Sequence, residues 1–392
     1  MTAHPGRRLL AVLLAHSVLT QVVTFVLRPT SAYRAIELGI SPAWLGALTA
    51  SFAVVPLVLA VPSGQATDRF GERRVMLVGA VLMTLSGVVF ATERGGAAGL
   101  VVGSVVLGTG HLLSVVGQQA AVANTAGPGR FDTAFGYYTF AASLGQAAGP
   151  ALITVIGGKG ELPDTTPIFL TATALGVVLL ACTAFLRMPA RERAAEAGRT
   201  GGMGSLLRLP GLLRALLVSC VVLAAVDITL VYLPALGADR GLAAGFVGLL
   251  LTLRAVASMT SRLFLGRLVG LVGRRRLMVV SVALSAISMA AVAAPMPTAA
   301  MAVVVVLLGL GLGVGQPLTM SWLAEVAPAG QRGRAMSLRL TGNRLGQVLI
   351  PSAVGLVAAG VGAAGVLGAT AAALAAVGVA ARRLAVDGGA GT

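Results

Sequence analysis

The sequence predicts an all-α integral membrane protein with twelve transmembrane helices. Its composition, the length of its apolar runs and the placement of its arginines carry that prediction. Hydrophobic residues make up 57% of the 392 and charged residues only 11%, against roughly a quarter charged in a soluble domain. So few polar groups cannot coat a globule of this size, so lipid is the solvent for much of the surface. A net charge of +16 would fit a nucleic-acid module only with a basic stripe and interleaved aromatics. Here the basic residues cluster between apolar runs, and all but Lys159 are arginine. No nucleic-acid partner is expected.

Runs long enough to cross about 30 Å of hydrocarbon fall near residues 9–27, 42–63, 75–92, 97–123, 133–156 and 167–186. Six more lie near 211–233, 243–265, 276–294, 298–325, 335–358 and 362–381. The first follows Arg7 and Arg8 as a signal peptide would, yet it contains His16 and Gln21 and lacks a small-residue cleavage site. It is therefore read as a retained helix. Twelve crossings put both termini on one side. With the N-terminus inside, the cytoplasmic segments hold twenty basic residues and the outer segments five; Arg254, Arg262, Arg339 and Arg344 remain within spans. Short cytoplasmic loops are enriched in Lys and Arg, so both termini are expected to be cytoplasmic, in an inner (cytoplasmic) membrane. Cys182 and Cys220 lie in apolar runs, where a thiol behaves as a small buried hydrophobe. Neither a metal nor a cofactor is expected.

The polar stretch from Arg187 to Leu209 divides the spans six and six. It implies an N-terminal bundle over 1–186, a cytoplasmic linker over 187–210 and a C-terminal bundle over 211–392. The halves repeat. Leu144-Gly145-Gln146 with Pro150 matches Leu345-Gly346-Gln347 with Pro351 at an offset of 201 residues, and Gly64, Gly71, Arg73 and Arg74 match Gly266, Gly273, Arg275 and Arg276 at 202. Two matches at nearly one offset indicate a parallel internal repeat, an architecture of transporters.

The loop after the second span reads Gly64-Gln-Ala-Thr-Asp68-Arg69-Phe-Gly71-Glu72-Arg73-Arg74. Its glycines allow a tight turn and a close helix approach, and Asp68 can cap a helix N-terminus or pair with Arg. This loop resembles the signature loop of the major facilitator superfamily, departing from it at Ala66 and Glu72. In the fifth span, Gly136, Gly145 and Gly149-Pro150 resemble the glycine-proline helix of exporters in that superfamily, although Ile153 and Thr154 replace its closing glycine pair. The fourth span carries Gly108-Thr-Gly110, but Ser104 stands where the family often has a buried Arg. The resemblance implies two pseudo-symmetric six-helix bundles around a central site and secondary active transport. It also implies proton-coupled efflux by an antiporter, with that arginine missing or its role placed elsewhere.

Ionisable residues inside a membrane are costly and are functional candidates by default. Counting about 1.5 Å per residue puts Asp227 roughly 24 Å from the inner end of the seventh span, and Arg254 and Arg344 roughly 14 Å from theirs, near the midplane. On this count Asp227 pairs with Arg28 or Arg240 rather than with the midplane arginines. Two arginines with no acid at their depth favour an anionic ligand; the other reading is that they snorkel or bond to carbonyls. Polar stripes accompany them: His111, Ser114 and Gln118; Thr139, Ser143 and Gln146; Arg254, Ser258 and Arg262; Asn343 and Gln347. One stripe alone reads as helix-helix glue, whereas four together read as a water-filled path.

The candidate substrate-binding residues are thus Gln21, His111, Gln118, Gln146, Arg254, Gln316, Asn343, Arg344 and Gln347. The candidate coupling or gating residues are Asp68, Arg69, Arg73, Arg28 and Asp227. The expected partners are a small-molecule substrate, the lipid bilayer and a coupling proton, with the chain a monomer. Export of a small amphipathic or anionic organic compound is the expected activity. The alternatives are organic-acid uptake and a non-transporting membrane sensor or scaffold, which would leave the polar stripes unexplained. No metal-binding or nucleophile constellation points to an enzyme.

Overall fold

A computed structural model describes residues 5–39, 42–92, 96–127, 129–157, 163–186, 188, 206, 208–209, 211–328, 330–358 and 362–382. Among these residues every regular element is a helix. Six helices precede the polar stretch: α1 (Pro5–Glu37), α2 (Pro42–Phe70), α3 (Glu72–Ala91), α4 (Gly96–Thr125), α5 (Phe131–Ile156) and α6 (Thr165–Phe185). After it come α7 (Leu212–Asp239), α8 (Ala244–Leu263), α9 (Leu265–Val272), α10 (Arg274–Ala293), α11 (Thr298–Val326), α12 (Arg332–Ala358) and α13 (Gly362–Ala381). All but α9, which has 8 residues, are at least 20 residues long. Nine helices among the described residues are both long and apolar enough to cross a membrane. Helix suits this solvent because each backbone N–H and C=O finds its partner within the segment.

The eighth span, read near 243–265, is α8, which ends at Phe264 (φ −96°, ψ 9°), and the short α9 follows.

The internal repeat is visible in the backbone. Gly71 (φ 89°, ψ 152°) before α3 and its match Gly273 (φ 83°, ψ 147°) before α10 share a conformation that only glycine adopts freely.

By contacts the chain forms two units. The first holds Met1–Gly127, Ala141–Thr200 and Ala327–Leu338; the second holds Pro128–Phe140, Gly201–Val326 and Arg339–Thr392. Two helices are therefore divided, α5 after Phe140 and α12 after Leu338. The core of the first unit gathers Val23, Leu27, Met83, Leu107 and Leu179 around the stacked rings of Phe90 and Phe169, 5.4 Å apart. In the second unit α8 presses on α11 at two glycines: a Cβ on Gly309 would lie 2.4 Å from the Arg254 carbonyl, and one on Gly313 2.6 Å from that of Ser258. Small residues four apart permit such contact where lipid offers no hydrophobic drive between helices.

Candidate functional site

The signature loop closes on the start of α12. Asp68, at the end of α2, accepts hydrogen bonds from the backbone N–H groups of Gly333 (2.8 Å) and Arg334 (3.0 Å). The Arg334 guanidinium lies 3.6 Å from the same carboxylate, whose side chain is 3% exposed. The first N–H groups of a helix have no partner within it, and they carry the positive end of its dipole, so an anion there satisfies both. Gly64 makes the approach possible, since a Cβ would sit 2.6 Å from the Gly333 carbonyl. Arg69 stacks on Phe70 at 5.2 Å, and Arg73 donates to the Ala184 carbonyl.

The repeat reuses these positions with opposite charge. In the first unit, Glu72 accepts a hydrogen bond from Asn124. An offset of 202 carries Glu72 to Arg274 and one of 201 carries Asn124 to Glu325. Arg274 and Glu325 form an ion pair, and Arg274 also holds Asp132, at the start of α5, at 2.7 Å. Sequence reasoning did not single out Asp132, Arg274 and Glu325. The usable signal was an acid at 72 opposite a base at 274 in otherwise matching loops.

Asp68→Asn is expected to keep the protein inserted but slow its turnover more than it changes substrate affinity, because Asp68 holds the first turn of α12 and touches no proposed ligand residue. Replacing the carboxylate by a neutral amide removes charge and one acceptor, about 1–2 kcal/mol and a factor of 5–30 in the population of the capped state. Initial-rate kinetics in proteoliposomes check this; unchanged turnover would remove the loop from the transport cycle.

In the first unit a hydrogen-bonded network links α1, α4 and α6. The Gln118 amide donates to His16 Nδ1 (2.7 Å) and to Thr20 Oγ1 (2.8 Å), while His16 Nε2 meets Thr183 Oγ1 at 2.8 Å. Thr183 directs its own proton to the Leu179 carbonyl, so Nε2 must be the protonated nitrogen of a neutral His16. His111 Nδ1 donates to Thr24 Oγ1 (3.0 Å), and its ring rests against Phe52 at 5.7 Å. Gln146 donates to Gln21 at 3.4 Å. Sequence reasoning singled out Gln118 and His111 but not His16, Thr20, Thr24 or Thr183 as site residues; His16, Thr20 and Thr24 follow one another at i, i+4 spacing, which was the readable signal. A cavity of about 270 Å³ is lined by Phe25, Arg28, Phe52 and Ser104 among others. Arg28 of α1, 4.2 Å over the Phe52 ring, thus brings a guanidinium to the cavity of Ser104, where the family often has an arginine.

The four intramembrane arginines all lie in the second unit. Arg262 donates to the carbonyls of Gly313 (3.3 Å) and Thr139 (3.5 Å). Arg339 is 2% exposed and donates to Gln316 Oε1 (2.7 Å), within a knot that joins Gln316, Ser219 and Asn343. Arg254 is 6% exposed, and its Nε has no hydrogen-bond partner among the described residues. The side chain of Gln347 lies outside the described residues.

Arg240 donates to the carbonyls of Val292 (3.1 Å) and Ala293 (2.6 Å).

The Major Facilitator Superfamily model matches residues 13–243 and 215–389, nearly the whole chain. The chain belongs to the major facilitator superfamily. Solved structures of this superfamily share its fold. The human organic anion transporter MFSD10 (TETRAN) is 19% identical, with a TM-score of 0.79, over 97% of this chain and 100% of that one. The Escherichia coli fucose:proton symporter FucP is 15% identical, with a TM-score of 0.80, over 95% and 97%. A bacterial homologue of the iron transporter ferroportin is 17% identical, with a TM-score of 0.76, over 95% and 98%. At these identities the likeness concerns the fold alone. No functionally curated protein matches in sequence. The chain is thus a multi-pass membrane protein of a transporter superfamily.

Proposed function

We propose that this major facilitator protein is a secondary active transporter, not an enzyme, that moves a small amphipathic or anionic organic compound by alternating access, coupled to an ion gradient, that of protons. Its two bundles are residues 1–186 and 211–392, joined by a cytoplasmic linker over 187–210, and it works as a monomer in the inner membrane with both termini cytoplasmic. The observation that carries the anionic reading is Arg254, a buried guanidinium whose Nε has no hydrogen-bond partner among the described residues. A guanidinium at that depth costs a few kcal/mol unless it meets water, a carbonyl or an anion. A carboxylate or sulfonate meets it in two-pronged fashion. Gln316 and Asn343 line the same unit, and Gln21, His111, Gln118 and Gln146 supply neutral hydrogen-bonding groups in the other. The human organic anion transporter MFSD10, which shares this fold, agrees with this substrate class.

The glycine-proline pattern of α5 supports export as the direction. In this fold Gly145 and Gly149 also serve packing, with Cβ positions 2.4 Å from the Val18 carbonyl and 2.7 Å from Phe25 Cβ. Uptake of an organic acid is the second reading.

The test pairs binding with orientation. Benzenesulfonate, a permanent anion, is expected to raise the melting temperature of the purified protein, since a ligand that binds only the folded state stabilises it. Tetraphenylphosphonium is expected to leave it unchanged, and reporters fused after Thr392 to read cytoplasmic. Stabilisation by the cation alone would end the anionic reading, and a periplasmic reporter signal would end the assigned orientation.

A further inference from the structure

A cleft of about 500 Å³ opens in the second unit where the start of α5 meets the junction of α8 and α9, and Thr133, Tyr137, Leu263, Phe264, Gly266 and Arg267 line it. We propose that this cleft binds an anionic phospholipid, with the phosphate on Arg267 and the acyl chains along Leu263, Phe264 and Tyr137. None of these residues is a substrate-binding candidate, so the proposal stands apart from the anionic reading of Arg254.

Glycine shapes the cleft. A Cβ on Gly136 would lie 2.5 Å from the Arg262 carbonyl oxygen and 3.0 Å from Leu265 Cβ, and one on Gly266 would collide with Thr133. With hydrogen at both positions the first turns of α5 lie directly on the junction. The side chains around the contact face outward: Tyr137, Leu263, Phe264 and Arg267 are all exposed. Arg267 holds its guanidinium 5.8 Å from the centre of the Phe264 ring. An aromatic face attracts a cation, yet it leaves the guanidinium N–H groups able to donate to an oxygen.

The neighbouring charges are engaged with other groups. Asp132, next to Thr133 in the chain, is held by Arg274 at 2.7 Å, and Arg274 also pairs with Glu325. Arg262 donates to the carbonyls of Gly313 and Thr139, and Arg275 to that of Arg382. Arg267 makes no hydrogen bond or ion pair among the described residues. Its positive charge is therefore the one that the cleft offers to a ligand.

Position selects a lipid over a dissolved anion. The stretch of α8 that is apolar enough to cross a membrane ends at Leu263, and the next such stretch starts at Arg274. The cleft thus sits where hydrocarbon gives way to headgroups. Leu271, between Arg267 and the run Arg274–Arg276, is 84% exposed. Exposed leucine among arginines suits that interface, where the apolar group enters the acyl region and the guanidinium reaches phosphate. Tyrosine is enriched at the same level. A guanidinium grips phosphate with two parallel hydrogen bonds, whereas a zwitterionic headgroup brings its own cation to the same place. A lipid of net negative charge is the better fit.

Native mass spectrometry of the full-length protein in detergent, titrated with dioleoyl phosphatidylglycerol or dioleoyl phosphatidylcholine, tests this. Wild type is expected to hold one phosphatidylglycerol roughly 10- to 100-fold more tightly than phosphatidylcholine, the range of one charge-assisted contact. Arg267→Ala should abolish that preference without lowering the melting temperature of the lipid-free protein, because the side chain is exposed. Arg267→Lys should keep part of the preference, as it keeps the charge and loses the fork. Arg276→Ala, an exposed arginine of α10 outside the cleft, should keep all of it. A preference that survives in Arg267→Ala, or that falls equally in Arg276→Ala, would make the attraction a diffuse effect of surface charge. Equal affinity for the two lipids would make the cleft an apolar contact, and inorganic phosphate raising the melting temperature as far as phosphatidylglycerol does would make the ligand a dissolved anion. Each of these results overturns the inference and leaves the reading of Arg254 standing.

Discussion

Arg254→Ala should weaken benzenesulfonate binding by roughly 10- to 100-fold while the protein still inserts and purifies normally. A charge-assisted hydrogen bond contributes about 1.5–3 kcal/mol, and each 1.4 kcal/mol is tenfold in affinity. Folding is not expected to suffer, because the substitution removes a buried cation whose Nε has no partner rather than leaving one behind. Arg344→Lys should cost less, about tenfold, since lysine keeps the charge but loses the planar fork that grips an anion with two hydrogen bonds. Calorimetric or scintillation-proximity titration of both variants checks the order. Wild-type affinity in both would make these arginines structural and end the anion hypothesis. Arg262 and Arg339 make the contrast: each already donates to oxygen acceptors within the protein, so alanine there should lower stability rather than affinity.

The largest expected effect on stability comes from a single methyl group. Gly108→Ala would place its Cβ 2.0 Å from the Phe52 carbonyl oxygen and 2.9 Å from the carbonyl carbon. Both obstructing atoms are backbone, so α2 must move away from α4, and forced overpacking of this kind costs about 1–3 kcal/mol or more. Gly99→Ala in the same helix meets nothing within 4 Å. It is expected to be neutral or slightly stabilising, as alanine is the better helix former. Thermal melts of the two variants in detergent make the comparison, and equal melting temperatures would show that α2 and α4 are not packed at Gly108 as described. Because Phe52 also lines the cavity with Arg28 and Ser104, Gly108→Ala should disturb that cavity as well.

Composition, run length and the repeat offset were enough to read an all-α membrane protein of twelve long helices, and the resemblance of the loop from Gly64 to Arg74 pointed to the superfamily. These follow from local properties: an apolar stretch in lipid has to be helical, and a repeated loop has to carry its glycines and charges at repeated places. Gly71 and Gly273 show the point, since their shared positive φ was legible as a shared glycine. Asp68 as a helix cap was legible too, because a carboxylate at a tight turn in a charge-poor chain has few other uses. Only the tertiary structure decided which helix it caps, since Gly333 lies 265 residues away. It also decided that Arg262 meets the carbonyls of Gly313 and Thr139 and that Arg339 meets Gln316. Hydropathy and spacing report distance along the chain and depth along a helix, whereas a buried charge is governed by what surrounds it in three dimensions, and those neighbours come from helices hundreds of residues apart.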